Sequence, residues 1–263
     1  MTPRLHVTGI GKSFADAKAL DAITFDIAPG AALGVLGPNG CGRTVLLDIL
    51  SGLLPPDHGN AHFTDEAGTR SSLAGLPPQD IVELGIARTW QGLRLIGGIA
   101  VLDEVVLGAY SRRRTGMFSA ALGLPAGKQD MARAYDRARQ MLTVVGLGGR
   151  ASSLADQLSR SEQMRVGMAR ALTAEPELLL LDAPAAGLGD AERANLAELI
   201  GVLCEAGISV LVADRSINLI ARCCDQAIAL DAGRVVATGS PTECFASAAV
   251  QQAYFGTGLR AEC

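Results

Sequence analysis

One stretch, Ala31 to Leu50, constrains the fold of this chain more than any other. Its apolar run Leu33 to Leu36 reads as a buried strand. The turn Gly37, Pro38, Asn39, Gly40, Cys41 and Gly42 follows, and Thr44 to Leu50 has a helical pattern. A strand, a glycine loop and a helix start in that order form an anion cradle. Glycines let backbone N–H groups crowd one phosphate, and the helix N-terminus adds the positive end of its dipole. Gly37, Gly42 and Thr44 match the spacing G-x-x-x-x-G-K-[ST], with Arg43 at the lysine position and Val45 just beyond. The plainer reading is a tight turn in any α/β protein, and the remaining motifs decide between the two.

At 263 residues the chain reads as one large domain, or a domain with a sub-domain. Apolar residues make up 49% and aromatics only 4%, so the core is aliphatic. The net charge of −4 carries no basic surplus and argues against nucleic acid as a partner. The start of the chain lacks the apolar segment of a signal peptide. No apolar run reaches the roughly 18 residues of a membrane span, so the expectation is a soluble protein or one docked on a membrane protein. The six cysteines, Cys41, Cys204, Cys223, Cys224, Cys244 and Cys263, show no metal-site spacing and read as reduced, mostly buried thiols. The three histidines, His6, His58 and His62, all lie early; His58 and His62 read as surface residues without ligand partners.

Residues 4–8 and 23–27 alternate as strands around a loop that carries Phe14. Phe14 reads equally as a core residue or as an exposed ring able to stack on a base. Ala61 to Phe63 resumes a strand, and residues 76–91 hold a short helix and an extended segment ending at Trp90 and Gln91. Helical patterns follow over Val101 to Tyr110 and along the stripe Met131, Tyr135, Ala138, Leu142 and Val145. Between them Ser111 to Phe118 is basic, then apolar; it reads as a solvated loop tip, with docking on a partner as the alternative. Ser159 and Glu162 have the spacing of a capping box before a helix over Gln163 to Leu172. Leu178 to Asp182 is a strand that ends in an acid, and Ile208 to Ala213 is a second apolar strand. A helix opened by Asp190 and stopped by Gly207 lies between them, and Ala227 to Thr238 reads as a hairpin. Strands alternating with helices give a doubly wound α/β fold with a helical insertion.

Taken together, the chain resembles the ATP-binding subunits of ABC transporters, specifically those of branched-chain amino acid importers. Gly37 to Thr44 is similar to the Walker A loop, Gln91 to the Q-loop glutamine, and Leu158, Ser159, Arg160, Ser161 and Glu162 to the signature motif. Leu178 to Asp182 looks like Walker B, Ala186 to Gly189 like the D-loop, and Ala213 to Ile220 like the switch-histidine loop. Leu76 to Pro78, Ala87 to Leu95, Pro184 to Leu188 and the tail Gln252 to Gly256 carry the sub-family likeness.

The resemblance implies an α/β fold, a P-loop NTPase nucleotide-binding domain of ABC type with an antiparallel β part and a helical sub-domain. Residues 1–91 and 158–240 would form the core with the β part, 92–157 the helical sub-domain and 241–263 a tail. It implies ATP and Mg2+ as cofactors: Phe14 on adenine, Gly37 to Val45 on phosphates, and Thr44, Gln91 and Asp182 at Mg2+. It implies a second ATP-binding subunit, in a homo- or heterodimer, and membrane permease subunits as partners. The expected location is cytoplasmic, peripheral on the inner face of the cell membrane.

Four motifs depart from the family pattern. Arg43 replaces lysine; its planar fork keeps the charge without acting as a compact point charge. Ala183 replaces the glutamate that polarises water and has nothing to accept a proton. Arg215 replaces the switch histidine and has no neutral form. In the signature, Arg160, Ser161 and Glu162 stand where Gly, Gly and Gln belong. Side chains there obstruct close approach, and capping is the favoured role of Ser159 and Glu162. The chain therefore reads as the ATP-binding subunit of an importer whose own site hydrolyses poorly or not at all. The alternative is a non-hydrolysing regulatory or structural subunit. A DNA-repair or translation cassette is disfavoured, since no coiled-coil insertion, tandem cassette or basic face is present.

Overall fold

The computed structural model describes residues 2–92, 95–112 and 125–255. Of the basic and apolar stretch Ser111 to Phe118, residues 113–118 lie outside them, as do Gly256 and Cys263.

A six-stranded sheet forms the centre, in the order β10-β9-β3-β8-β7-β6. Strands β3 (Ala32–Leu36), β6 (Ile86–Arg88), β7 (Leu178–Asp182), β8 (Ser209–Ala213) and β9 (Gln226–Asp231) run parallel to their neighbours. Only β10 (Arg234–Gly239), the return of the expected hairpin, is antiparallel. Every residue of β3, β7 and β8 is buried, as continuous apolar runs require when both faces of a sheet are covered. The two-residue strand period splits those runs between two cores. Leu33, Val35, Leu178, Leu180 and Leu211 join the cluster under an antiparallel sheet. Leu36, Leu179, Leu181, Val210 and Val212 join the cluster under the helices.

That antiparallel sheet has the order β2-β1-β4-β5. Its strands are β1 (Leu5–Phe14), β2 (Ala17–Ile27), β4 (His58–Thr64) and β5 (Arg70–Ser72). Here the structure corrects the sequence reading. Residues 9–21 are no loop, because β1 and β2 pair all the way to Phe14 and Ala17. The register shifts between Val7 and Ile10, again to Lys12, and again to Ser13. Such bulges interrupt the alternation on which strand recognition depends. His58 is exposed as expected, but His62 is half-buried on β4.

Helix α1 (Arg43–Leu50) follows β3, and α2 (Pro78–Glu83) precedes β6. The helical part comprises α3 (Val101–Val106), a 3-10 turn, α4 (Pro125–Val144) and α5 (Arg160–Leu172). The stripe of α4 packs as its spacing requires, with Ala138 and Leu142 fully buried. Glu104 of α3 is fully buried and pairs with Arg170 of α5 at 3.1 Å. Helix α6 (Asp190–Glu205) and α7 (Ile217–Cys223) flank β8, and α8 (Pro241–Ala246) and α9 (Ala248–Phe255) close the described chain. Cys41, Cys224 and Cys244 are buried and Cys204 and Cys223 half-buried, and all five are free thiols.

Candidate functional site

Close backbone approach fixes both motif glycines. A Cβ on Gly37 would stand 2.4 Å from the Leu230 carbonyl oxygen, and one on Gly42 would stand 2.5 Å from that of Ala19. Gly42 (φ 107°) is the N-cap of α1 and supplies no side-chain cap. The first N–H groups of α1 therefore lack the usual intramolecular acceptor and are available to an anion. Pro38, Asn39, Gly40, Cys41, Gly42, Arg43, Thr44 and Val45 line a cavity of about 330 Å³ together with Ala19, Gln91, Asp182 and Ala183. Gly37 lies buried beneath this lining. Arg43 makes no ion pair among the described residues, and its Nη1 is buried without a hydrogen-bond partner. A buried cationic donor without an acceptor is costly unless a ligand supplies one.

Asp182 closes β7 and is 5% exposed. Burial pushes its carboxyl above the usual carboxylate range, and the hydrogen bond from Arg88 opposes that shift. Arg88 Nη2 lies 2.9 Å from Asp182 Oδ2, while its Nη1 reaches Asp48 at 2.6 Å and Ser51 Oγ at 3.0 Å. The Trp90 ring covers the same guanidinium at 4.5 Å. Among the described residues no group of three or more His, Cys, Asp or Glu could hold a metal. The donors that do converge on the cavity are the Thr44 hydroxyl, the Gln91 amide and Asp182, whose Oδ1 is not the oxygen held by Arg88. That sparse oxygen set fits a hard cation such as Mg2+, which takes most of its ligands from phosphates and water.

A second cavity, about 700 Å³, continues the first through Asn39, Arg43, Gln91 and Ala183 and reaches Arg193, Asp214, Arg215 and Tyr254. Ala183 has φ 46°, and its N–H donates to the Ala213 carbonyl at 2.8 Å. Asp214, 2% exposed, accepts from the N–H groups of Ala185 and Ser216, both at 2.8 Å. Its two oxygens thus hold the ends of two loops, and Arg215 beside it is exposed.

The pattern of the ABC transporter family matches residues 20–186, from β2 past the acid of β7. The chain belongs to this family. LivG of Escherichia coli (strain K12), a high-affinity branched-chain amino acid transport ATP-binding protein, is 31% identical over 97% of this chain and 98% of its own length. A solved nucleotide-free ATP-binding cassette from an ABC transporter superposes with a TM-score of 0.84 at 22% identity, covering 97% of this chain and 100% of that one. The dimeric structure of a bacterial ABC transporter cassette gives a TM-score of 0.74 at 24% identity, over 90% and 98% of the two chains. At those identities the superpositions speak to the fold, which is that of an ABC cassette.

Residues 158–162, likened above to the signature motif, make contacts within the chain. Helix α5 starts at Arg160, three residues earlier than expected, because Ser159 caps it. Ser159 Oγ accepts from the Glu162 N–H at 3.3 Å, and Glu162 Oε2 accepts from the Ser159 N–H at 2.9 Å. Glu162 also pairs with Arg150 at 3.1 Å. The Ser159 N–H holds the Glu162 carboxyl below its usual range; burial opposes it, and the Ser159 hydroxyl and then Arg150 add to the lowering. Arg160 Nε donates to the Ala186 carbonyl at 3.0 Å and lies over Gly187, where an added Cβ would meet it at 2.7 Å. Leu158 is buried, and Ser159, Ser161 and Glu162 line neither cavity.

Phe14 also lies outside both linings. It is 47% exposed at the tip of β1, with Lys12 Nζ at 5.9 Å from its ring. Two residues at the site escaped sequence reasoning as participants. Arg88 was only a sub-family marker, although a charged residue ending an apolar strand is a signal of a buried partner. Tyr254 sits on α9, and its hydroxyl accepts from the Gly37 N–H at 2.8 Å.

Proposed function

We propose that this chain is the ATP-binding subunit of an ABC importer for branched-chain amino acids or similar solutes, with impaired hydrolysis at its own site. The observation that carries the nucleotide reading is the buried, unpartnered Nη1 of Arg43 in a cradle of free helix N–H groups. The importer class and the solute rest on the LivG likeness. A second ATP-binding subunit and membrane permease subunits are the partners this reading requires. It places the chain on the cytoplasmic face of the cell membrane. Among the described residues no helix is long and apolar enough to cross a membrane. Residues 92–157 are then the helical sub-domain, 241–263 the tail, and 1–91 with 158–240 the nucleotide core.

In this reading Arg43 and the α1 amides hold phosphates, and Phe14 offers its exposed face to adenine. Thr44, Gln91 and Asp182 would hold Mg2+, which supplies charge neutralisation when bound. Arg215 adds a cation to the far cavity. Ala183 accepts no proton, and losing a positioned base lowers rates by about 10²–10⁴, or roughly 3–5 kcal/mol of barrier.

Calorimetry with millimolar ATP and Mg2+, beside a phosphate-release assay, tests both halves. Binding weakened by Thr44→Ala or Asp182→Ala, with phosphate release at background, is expected. No binding would mean that Arg43 closes the cradle and the cassette is structural only. Turnover abolished by those same substitutions would show that the site hydrolyses ATP despite Ala183.

A further inference from the structure

Helix α9 ends the described chain, and its Val250 is anchored in the core at 1% exposure. Four residues later Tyr254 lines the larger cavity beside Asn39, Arg43, Ala183 and Arg215. Its hydroxyl makes two bonds, accepting from the Gly37 N–H at 2.8 Å and donating to the Arg215 carbonyl at 3.4 Å. A phenol can do both at once because it is donor and acceptor together. Burial pushes its pKa up, which keeps that donor in place.

The two loops it joins leave the sheet at the same, C-terminal, end of its strands. β3 runs into the phosphate loop, and its parallel neighbour β8 runs into the loop that bears Arg215. Arg215 itself forms no ion pair among the described residues, so its place is set through the backbone. Asp214 fixes one side by accepting from the Ser216 N–H, and Tyr254 holds the Arg215 carbonyl.

We propose that Tyr254 is a positioning residue of the nucleotide site, setting the spacing between the phosphate loop and Arg215 and thereby the preference for a triphosphate over a diphosphate. The proposal rests on the nucleotide reading above. The smaller cavity offers the cradle amides and Arg43, which suffice for a diphosphate. The larger cavity adds two cations: Arg193 is already held by Asp190 and the Leu188 carbonyl, so a further phosphate gains most from Arg215. Loss of the hydroxyl leaves the Gly37 amide without its acceptor and frees the Arg215 carbonyl, while the ring can remain packed.

The test is calorimetry on the full chain with ATP and with ADP, both with Mg2+, for wild type, Tyr254→Phe, Arg215→Ala and the double variant. Tyr254→Phe should weaken ATP about tenfold, the equivalent of one hydrogen bond, and ADP by less than about twofold. The Arg215 and Tyr254 substitutions should be non-additive for ATP, since one acts through the other. Amide exchange gives a reading that needs no variant: ATP, and not ADP, should slow exchange in Ala248–Phe255 of the wild-type chain. Equal losses for ATP and ADP, additive losses, or equal protection by both nucleotides would reduce Tyr254 to a structural prop and overturn the proposal. A wild-type chain that binds neither nucleotide overturns the nucleotide reading itself, and this proposal with it.

Discussion

Arg88 donates from Nη2 to Asp182 Oδ2 at 2.9 Å, and the two side chains are 4% and 5% exposed. The same guanidinium spans to Asp48 on α1 and stacks under Trp90, so one residue ties the β6 edge to β7, α1 and the segment before Gln91. A planar fork with several donors can do this; an ammonium cannot. A charge left alone at this depth is severely unfavourable, whereas the pair itself is near neutral against an apolar replacement. Arg88→Ala should therefore lower stability by about 3–5 kcal/mol in urea unfolding. Arg88→Lys should lose less, about 1–2 kcal/mol, by giving up one of the two acids. Adding Asp182→Asn to Arg88→Ala should restore part of the loss, because the stranded carboxylate is gone.

Glu162 gives a pH-dependent signature of its own. Its carboxyl is held below the usual glutamate range, chiefly by the Ser159 N–H. A depressed folded pKa contributes stability that is present above the unfolded value and is lost as pH falls through the folded one. The side chain is half-buried at the start of α5 and bonded to the Ser159 N–H, so its worth is that of a helix cap rather than of a fully buried pair. Glu162→Gln keeps an acceptor oxygen but not the charge, and should lower stability by about 0.5 kcal/mol at neutral pH. That difference should shrink steadily below about pH 4.5 as the wild-type carboxyl protonates. Denaturant midpoints of the two proteins at matched pH measure it, and a difference that grew in acid would contradict the capping role.

Phe14 separates folding from binding. An aromatic ring 47% exposed contributes little to stability, so Phe14→Ala should move the melting temperature by only a degree or two. Stacking of a base on an aromatic ring is worth about 1–3 kcal/mol, so loss of the ring should weaken ATP by about tenfold or more if adenine rests there. Titration with ATP and with inorganic triphosphate distinguishes the cases, since only the nucleotide has a base to stack.

What the sequence disclosed follows from the range of the interactions concerned. The runs Leu33 to Leu36 and Leu178 to Asp182 announce β3 and β7 because full burial demands uninterrupted apolar residues. The phosphate cradle is equally local, eight residues from Gly37 to Thr44 that lead from β3 into the first turn of α1. β1 and β2 were hidden past their ends by bulges, which break a period-two pattern without breaking pairing. The roles of Arg88 and Tyr254 depend on partners 94 and 217 residues away; the local pattern at Arg88 signals a buried partner but does not say which. Ser159 and Glu162 were legible as a cap because a capping box is itself a local motif.

The proposal that Arg43, Ala183, Arg215 and the signature-like segment impair hydrolysis can be tested by installing the family residues in stages. Arg43, Ala183 and Arg215 line one cavity, whereas Arg160 lies over the Ala186–Gly187 turn and bonds to the Ala186 carbonyl. Groups that act together in catalysis are strongly non-additive, so one restored member recovers little while others are missing. Ala183→Glu returns a proton acceptor at a residue with φ 46°, where glutamate meets the same backbone strain as alanine and no more. By itself it should leave phosphate release near background. Adding Arg43→Lys and Arg215→His should raise turnover only beside a partner subunit whose signature is intact. In a homodimer the triple variant should stay weak until Arg160→Gly, Ser161→Gly and Glu162→Gln release the Arg160 contact and the charged cap. Those last three changes also weaken the start of α5, so a loss of about 1–2 kcal/mol of stability should accompany the gain in rate. Steady-state phosphate release for the single, triple and sextuple variants, with unfolding measured in parallel, checks the series. Full activity from Ala183→Glu alone in the homodimer would show that the altered signature is tolerated and that the missing base was the whole defect.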